Sequence, residues 1–543
     1  MRTVAEILRD DLRAVTPMEI QIAENERRRT GERIEEALCR LGFLKEETVA
    51  EALGIQYNLP VLASVSPEEV DLDWLYEHAS IEKATSSVFL PLKSNGARAF
   101  AIVNPADLAV IDLIRSFDGR ARDLKITTVK TIREALERIT VSESPIDLER
   151  LIERGEIEGT EGNAVETLVD AILYEAIKKK ATDVHIEPTP ETTHIYLRVD
   201  GVRRPLLSLP PKLHQAVVNI IKVRADIKPD QHFTPDDKKF TFGFMGRVVD
   251  IRVSLLPSAW GPAILNRILD KMSSLITLED LGYSRVQYDT ICRLARSPNG
   301  LMLVTGPTGS GKSTTLYALL SKLASPEKKL ITVEDPIEYT IPRITQCQAR
   351  EDRGFTFDRA LRSILRHDPD IIMVGEIRDR DTARIAMEAS LTGHLVLSTL
   401  HTNSAVDSVI RLMDMGVQTV YIASTLRAVI AQRLIRKICG ECKRETRLPD
   451  EIVEKYGLGL VRGWEGRGCK ACGMTGYSGR TVVAEALIVD HEIAEMIHEK
   501  QPGALIRKTA IEKGFMPIER DALQKVTAGI TDLKEIENVI GAV

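Results

Sequence analysis

The chain has 543 residues, 43% of them hydrophobic and 28% charged, with a net charge of −6. That is ordinary globular material, long enough for three or four domains, and neither disordered nor fibrous. The acidic balance gives no reason to expect a nucleic-acid partner, and no apolar run approaches the ~18 residues a membrane helix needs.

The opening "MRTVAEILRDDLRAVTP" has no signal-peptide core, so the expectation is a cytoplasmic protein that meets a membrane only through partners. Residues 1–143 alternate helical and short strand patterns, with "FLPLKSNGARAFAIVNP" reading as two strands around a turn tipped by Asn95 and Gly96. An acidic, polar stretch over 144–164 reads as a linker. A second domain is expected over 165–275, where "VETLVDAILYEAIKKKA" has helical spacing and "DVHIEP", "THIYLRVDG" and "RVVDIRVSLLP" read as strands. Over 276–436, strand-like "LMLVTG", "LITVED" and "DIIMVGE" alternate with helical segments, which predicts a mostly parallel α/β sheet. A cysteine-bearing segment over 437–483 and a helical region over 484–543 complete the chain, with no internal repeats.

"GPTGSGKST" is a G-x-x-x-x-G-K-S phosphate loop comprising Gly306, Pro307, Thr308, Gly309, Ser310, Gly311, Lys312, Ser313 and Thr314. Glycines let backbone N–H groups curl around phosphate oxygens while the following helix points its positive end at them. Lys312 is expected on the β- and γ-phosphates of ATP, and Ser313 on Mg²⁺. Such a match arises by chance roughly 0.02 times in a chain this long, and the flanking strand and helix patterns are the right ones.

Two further strand ends carry carboxylates. "RHDPDIIMVGEIRD" delivers Glu376 where α/β sheets place ligands, suited to Mg²⁺ or the water around it. In "LITVEDPIEY", Glu334 and Asp335 end a strand that Pro336 stops. Alone that is ordinarily a solvated turn. With a phosphate loop upstream, Glu334 is the expected base that activates water, with Glu338 second. In "LTGHLVLSTLHTNSA", His394 and His401 bracket a strand-like run and would lie roughly 23 Å apart, too far to share a metal.

Four of the seven cysteines form two C-x-x-C knuckles, Cys439/Cys442 and Cys469/Cys472. A redox pair or chance is the rival reading, but two knuckles suit a tetrahedral structural zinc site, with no open position for catalysis. Few basic residues surround them, against a DNA-binding finger. Cys39, Cys292 and Cys347 read as small buried apolar residues.

In order and wording, "GPTGSGKST", "TVEDPIEY", "DPDIIMVGEIRD" and "TGHLVLSTLHTN" resemble the Walker A, aspartate, Walker B and histidine boxes of the type II secretion and type IV pilus assembly ATPases. The resemblance implies an α/β multidomain chain: a RecA-like P-loop ATPase core, a PAS-like α+β domain before it, an N-terminal α/β domain and a small zinc subdomain. It implies a homohexameric ATP-hydrolysing motor for type II secretion, driving pseudopilus assembly through an inner-membrane platform protein. A type IV pilus assembly motor is the alternative, and a non-hydrolysing nucleotide switch a more distant one. By position, Arg252 in "DIRVS" and Arg267 in "NRILD" match arginines that such motors lend to a neighbouring subunit's nucleotide, with Arg198 a further candidate. The chain departs from the family in reading "TPDDKKF" and "GPAILNRIL" where other residues are usual.

The four cysteines resemble the zinc subdomain of the assembly branch. The N-terminal region resembles the domain that docks to a cytoplasmic part of the secretion or pilus machine. Its "RIEEALCRLGFLKEETVAEALGIQ" fits a cyclic di-GMP pattern at Arg33, Gly42, Leu53 and Gln56. Glu35 adds a carboxylate where an anionic ligand would sit, and there is no second good copy, both of which speak against cyclic di-GMP. In a RecA-like sheet His401 is expected near the γ-phosphate with Thr399 and Thr402, and His394 at the opposite strand end.

Overall fold

The computed structural model describes residues 2–79, 81–93, 99–117, 123–143, 162–228, 236–244, 247–269, 276–456 and 462–541. The Asn95–Gly96 turn and most of the expected linker lie outside the described residues. The chain forms two compact units, Met1–Met272 and Ser273–Val543.

After a short helical start over Val4–Glu6 and Ile7–Asp11, the first unit has helices Pro17–Thr30, Ile34–Arg40 and Glu46–Tyr57. Thr16 starts the first as an N-cap, its hydroxyl accepting from the Glu19 N–H while Glu19 accepts from the Thr16 N–H, with Pro17 at the first helical position. Leu8, Ala23, Leu38 and Leu53 form their core. A three-stranded sheet follows, of β1 (Phe89–Leu92), β2 (Ala99–Ile102) and β3 (Asp123–Ile126), the first pair antiparallel and the second parallel. Trp74, Phe89 and Phe100 pack over it, edge to face where Trp74 meets the two phenylalanines.

Further along the same unit lie β4 (Asp183–Pro188), β5 (Thr193–Val199), β6 (Val202–Leu209), β7 (Asp236–Phe244), β8 (Arg247–Leu256) and β9 (Ala263–Leu269). They form one antiparallel sheet in the order β6-β5-β4-β9-β8-β7. Apolar and polar residues alternate along β8, so Ile251, Val253 and Leu255 face the core and Arg252 faces away. Helices Gly162–Lys178 and Pro211–Arg224 contribute Leu168, Ile172, Val217 and Ile221 to that core.

The second unit is built on β10 (Gly300–Thr305), β11 (Leu330–Glu334), β12 (Ile344–Gln348), β13 (Ile371–Val374), β14 (Leu395–Leu400), β15 (Leu426–Ile438) and β18 (Tyr477–Ile488). Their order is β12-β11-β13-β14-β10-β15-β18, parallel except for β18, which runs antiparallel to β15. β10, β13 and β14 are buried throughout, as expected of central parallel strands covered on both faces. One face carries Leu303, Val333, Ile372 and Val396, the other Met302, Val304, Met373 and Leu397. A hairpin, β16 (Lys443–Arg447) and β17 (Arg462–Gly466), lies between β15 and β18 in the chain.

Three expectations need correction. Residues 484–488, assigned to a helical tail, are the end of β18, and the helices begin at His491–His498. "AEAL" carries helix formers, but pairing along β15 overrides that preference. The sheet also extends beyond 276–436, because its seventh strand returns after the cysteine segment. Cys39, Cys292 and Cys347 are half-buried at the margins of the cores.

The C-terminal helix Leu533–Ile540 is fastened to β15 by Glu535, whose carboxylate accepts the Arg436 N–H at 2.9 Å and its guanidinium Nε at 2.9 Å. Both side chains are largely buried, at 15% and 5% exposure. Glu535→Ala strands the guanidinium and is expected to cost about 3 kcal/mol. The check is a lowered melting midpoint with faster hydrogen exchange over 533–540.

Candidate functional site

At the carboxyl end of β10 the chain turns through Gly306–Gly311 into the helix Lys312–Leu323. Only glycine fits at 306: φ is +149°, and a Cβ there would lie 2.5 Å from the Gln432 carbonyl oxygen and from Ser310 Oγ. Lys312 Nζ donates to the carbonyls of Gly306 (2.9 Å) and Pro307 (3.1 Å), holding the ammonium over the loop. Burial lowers its pKa, and the Glu376 carboxylate opposes that shift. Pro307, Thr308 and Gly309 are exposed, Ser313 lies exposed on the first helical turn, and Thr314 is half-buried. Ser310 Oγ is buried and has no protein partner among the described residues. A glycine-lined loop, a helix N-terminus and an orphaned hydroxyl together fit a phosphate group.

The loop is braced from β15. Gln432, fully buried, donates to the Ser310 carbonyl at 2.8 Å and accepts from Thr315 at 3.0 Å and from Tyr283 at 2.6 Å. The sequence pattern did not single out Gln432 or Tyr283. They lie far from the loop in sequence, and only the sheet brings them to it.

Glu376 lies two residues beyond the end of β13. Its carboxylate is paired with Arg378 and lies 3.5 Å from His401 Nε2. His401 follows β14, where burial and the nearby Lys312 charge lower its pKa and favour the neutral imidazole. Thr399 Oγ1 donates to the Gly375 carbonyl at 2.7 Å, and the Thr402 N–H donates to Thr305 Oγ1 at 3.0 Å. These bonds stitch the ends of β13, β14 and β10 together. His394 sits at the other end of β14 and does different work: its Nδ1 lies 2.9 Å from the Ala389 carbonyl, closing the end of helix Arg380–Leu391.

Glu334 differs from expectation. It is 4% exposed, and its carboxylate accepts from Tyr317, from Thr332 at 2.5 Å and from Gln346 at 3.1 Å. Tyr317 is on the second turn of the phosphate-loop helix, so the carboxylate is folded under that helix rather than presented at the sheet edge. Glu338 is half-buried nearby, its N–H donating to the same tyrosine oxygen at 3.2 Å. The carboxylate whose charge reaches Lys312 is Glu376.

The four cysteine Sγ atoms lie within 4.8 Å of one another, with Cys439–Cys469 and Cys442–Cys472 at 3.9 Å and Cys469–Cys472 at 3.7 Å. A zinc tetrathiolate with Zn–S near 2.3 Å has sulfur–sulfur edges of about 3.8 Å, so the residues present fit that ion. Backbone N–H groups of Gly468, Cys469 and Gly476 point at the sulfurs at 3.2–3.3 Å, the donors a thiolate needs.

In the first unit, Arg267 and Arg252 are directly opposite one another on β9 and β8. The same row continues through Lys239, and on the other side through Asp183, Arg198 and Arg203. Asp183 accepts from Arg267 Nε at 3.0 Å and lies 3.7 Å from Arg198. Asp183, Lys239 and Arg203 were not singled out from the sequence, because only strand register reveals the row. In the N-terminal region, Arg33 donates to the Ala106 carbonyl at 2.8 Å, Gln56 donates to the Arg2 carbonyl at 3.1 Å, and Leu53 is in the core. Glu35 is turned inward, accepting from Asn104 at 2.7 Å.

The sequence model of the family described as "Type II/IV secretion system protein" matches residues 158–538. The chain belongs to that family. Among curated relatives, the type II secretion system ATPase E of Vibrio cholerae is 46% identical over 68% of this chain and 74% of its own length. The type IV pilus assembly ATPase PilB of Myxococcus xanthus is 32% identical over 98% of this chain and 97% of its own. The PilB of Thermus thermophilus is 35% identical over 94% of this chain, which spans 59% of that longer relative. The Legionella pneumophila ATPase DotB shares the α/β fold, with a TM-score of 0.53 at 23% identity over 68% of this chain and 95% of its own. No described helix is long and apolar enough to cross a membrane.

Chromatography-purified chain is expected to carry about one zinc. The double change Cys469→Ser with Cys472→Ser should abolish it and loosen the β16–β17 hairpin. Metal analysis beside hydrogen exchange over 443–466 reads both.

Proposed function

We propose that this chain is the ATP-hydrolysing motor of a type II secretion system, cytoplasmic and acting at the inner membrane through partner proteins. The observation that carries the reading is the meeting of Lys312, Glu376 and His401 at neighbouring strand ends, beside a phosphate-loop helix. ATP binds with its phosphates in the loop Gly306–Thr314. Ser313 and Glu376 are the residues that would hold Mg²⁺, which would supply charge neutralisation on the phosphates. The neutral His401 imidazole, against Glu376, contacts the γ-phosphate and registers its presence. Glu334 serves as base only in a conformation that frees its carboxylate from Tyr317, with Glu338 the second candidate. The exposure of Glu376 to the Lys312 charge and its place beside His401 support reading it as the carboxylate that orients water.

The motor is read as a homohexamer in which Arg252 and Arg267, with Arg198 beside them, reach a neighbour's nucleotide. A mobile cation from the next subunit neutralises charge developing on the γ-phosphate. The six-stranded sheet domain is read as PAS-like and the four-cysteine cluster as a structural zinc subdomain. The first 143 residues are read as the part that docks to a cytoplasmic domain of the machine. Hydrolysis would drive a membrane platform protein to add pseudopilin subunits. A specific observation favours pilus assembly as a second reading: the PilB relatives match 94% and 98% of this chain, where the Vibrio relative matches 68%. Deleting the gene separates the two, since one reading loses an exported protein and the other surface pili.

Lys312→Ala is expected to abolish ATP binding, while Glu376→Gln keeps binding and lowers turnover by about 10²-fold or more. Nucleotide titration and phosphate release measure these, and undiminished turnover in Glu376→Gln would support a different water-orienting group. Arg252→Ala alone should be inactive. Mixed with Lys312→Ala subunits it should regain activity, because the second variant lends an intact arginine to the first. Mixtures as inactive as either parent would refute the role in trans.

A further inference from the structure

Glu485 lies in β18 opposite Ala431 of β15 and is 1% exposed. One carboxylate oxygen accepts the N–H of Ala405 at 2.8 Å, and the other accepts the N–H of Ile518 at 3.3 Å. Ala405 and Ile518 are the first residues of two helices, Ala405–Asp414 and Ile518–Thr527. A helix start leaves N–H groups unsatisfied and carries the positive end of the dipole. A carboxylate has two acceptor oxygens and no donor, so one buried side chain can serve both helices at once. Arg507, on the helix Gly503–Glu512, lies 3.7 Å from Glu485 and 3.7 Å from Glu519.

The first of these helices starts where the loop after His401 ends. Within that loop Thr402 is bonded to Thr305, and the Asn403 carbonyl and side-chain oxygens each accept from Arg433 at 3.2 Å. The charge of Arg433 is felt by Lys312 on one side, and Glu485 is felt by Arg433 on the other. The bonds between Thr305 and Thr402, between Asn403 and Arg433, and between Glu485 and both Ala405 and Ile518 link the end of β10, beside the phosphate loop, through the His401 segment to the C-terminal helices.

We propose that Glu485 is a positioning residue of the ATPase: it fixes the start of the helix that follows His401 and ties that segment to the helix Ile518–Thr527. A phosphate-dependent shift at His401 is thereby passed to the C-terminal helices. Packed elements joined through one buried fork rearrange together rather than deform independently. The inference rests on the ATPase reading given above, with His401 at the γ-phosphate.

The test is hydrogen exchange on the full chain bound to ADP or to a non-hydrolysable ATP analogue, alongside steady-state turnover. In the native chain the analogue should slow exchange over 402–405 and over 518–527 relative to ADP. Glu485→Gln replaces one acceptor oxygen by an NH₂ group that cannot accept. It should lose the response over 518–527 and keep it over 306–313, with kcat down about tenfold and KM for ATP little changed. Arg507→Met, at the accessible rim of the cluster, should move both readouts the same way by less, and stands in if the first variant fails to fold. The proposal is overturned if the native chain shows no nucleotide-dependent difference over 518–527. It is equally overturned if the variants melt earlier while kcat and the exchange response stay native, which is how a purely structural helix cap behaves. A native chain that neither binds nor hydrolyses ATP would defeat the ATPase reading first and this inference with it.

Discussion

Parallel strands deliver all their following loops to one edge of a sheet, and in the second unit β10, β11, β13 and β14 end along the same edge. The register pairs Thr305 with Leu400 and Val374 with Ser398, so Gly306, His401 and Glu376 emerge close together. Side-chain bonds from Thr399 to Gly375 and between Thr402 and Thr305 then fix the spacing of those loops. The strand pairing supplies the neighbourhood, and the threonines supply its precision. Without that shared edge, Lys312 and Glu376 would be unrelated residues at distant points of the chain.

Two carboxylates leave neighbouring strands in similar positions and meet opposite surroundings. Glu334 finds a tyrosine, a threonine and a glutamine, all donors, and its acceptor capacity is taken up inside the protein. Glu376 faces Arg378, His401 and the charge of Lys312, groups that can exchange partners when an anion arrives. Strand-end chemistry alone does not distinguish them. What separates them is whether the helix after the phosphate loop covers the side chain, and for Glu334 it does.

The legible parts of the sequence were those encoded locally. The phosphate loop, the strand before Glu376, the split of His394 from His401 and the two cysteine knuckles each sit within a short window, where spacing reflects strand or turn geometry directly. The opaque parts join residues far apart. Gln432 and Tyr283 brace the phosphate loop from another strand and another segment. Glu485 sits in a run of helix formers that is nevertheless a strand, because a partner edge at β15 is available. Glu334 carried the right residue at the right place, and only burial under Tyr317 altered its standing. Local pattern finds where chemistry is offered; tertiary packing decides which of the offers is open.

The antiparallel sheet of the first unit makes the same point through electrostatics. Its outward row places Arg203, Arg198, Arg267, Arg252 and Lys239 with a single acid, Asp183, among them. Like charges directly opposite on neighbouring strands are destabilising. Arg203 is relieved by Glu187 at 2.7 Å and by the Tyr196 ring at 3.8 Å, and Arg267 and Arg198 share Asp183. In register, Arg252 stands between Arg267 and Lys239. Strand register thus decides where charge gathers on this sheet, as packing decides which carboxylate stays open in the other unit.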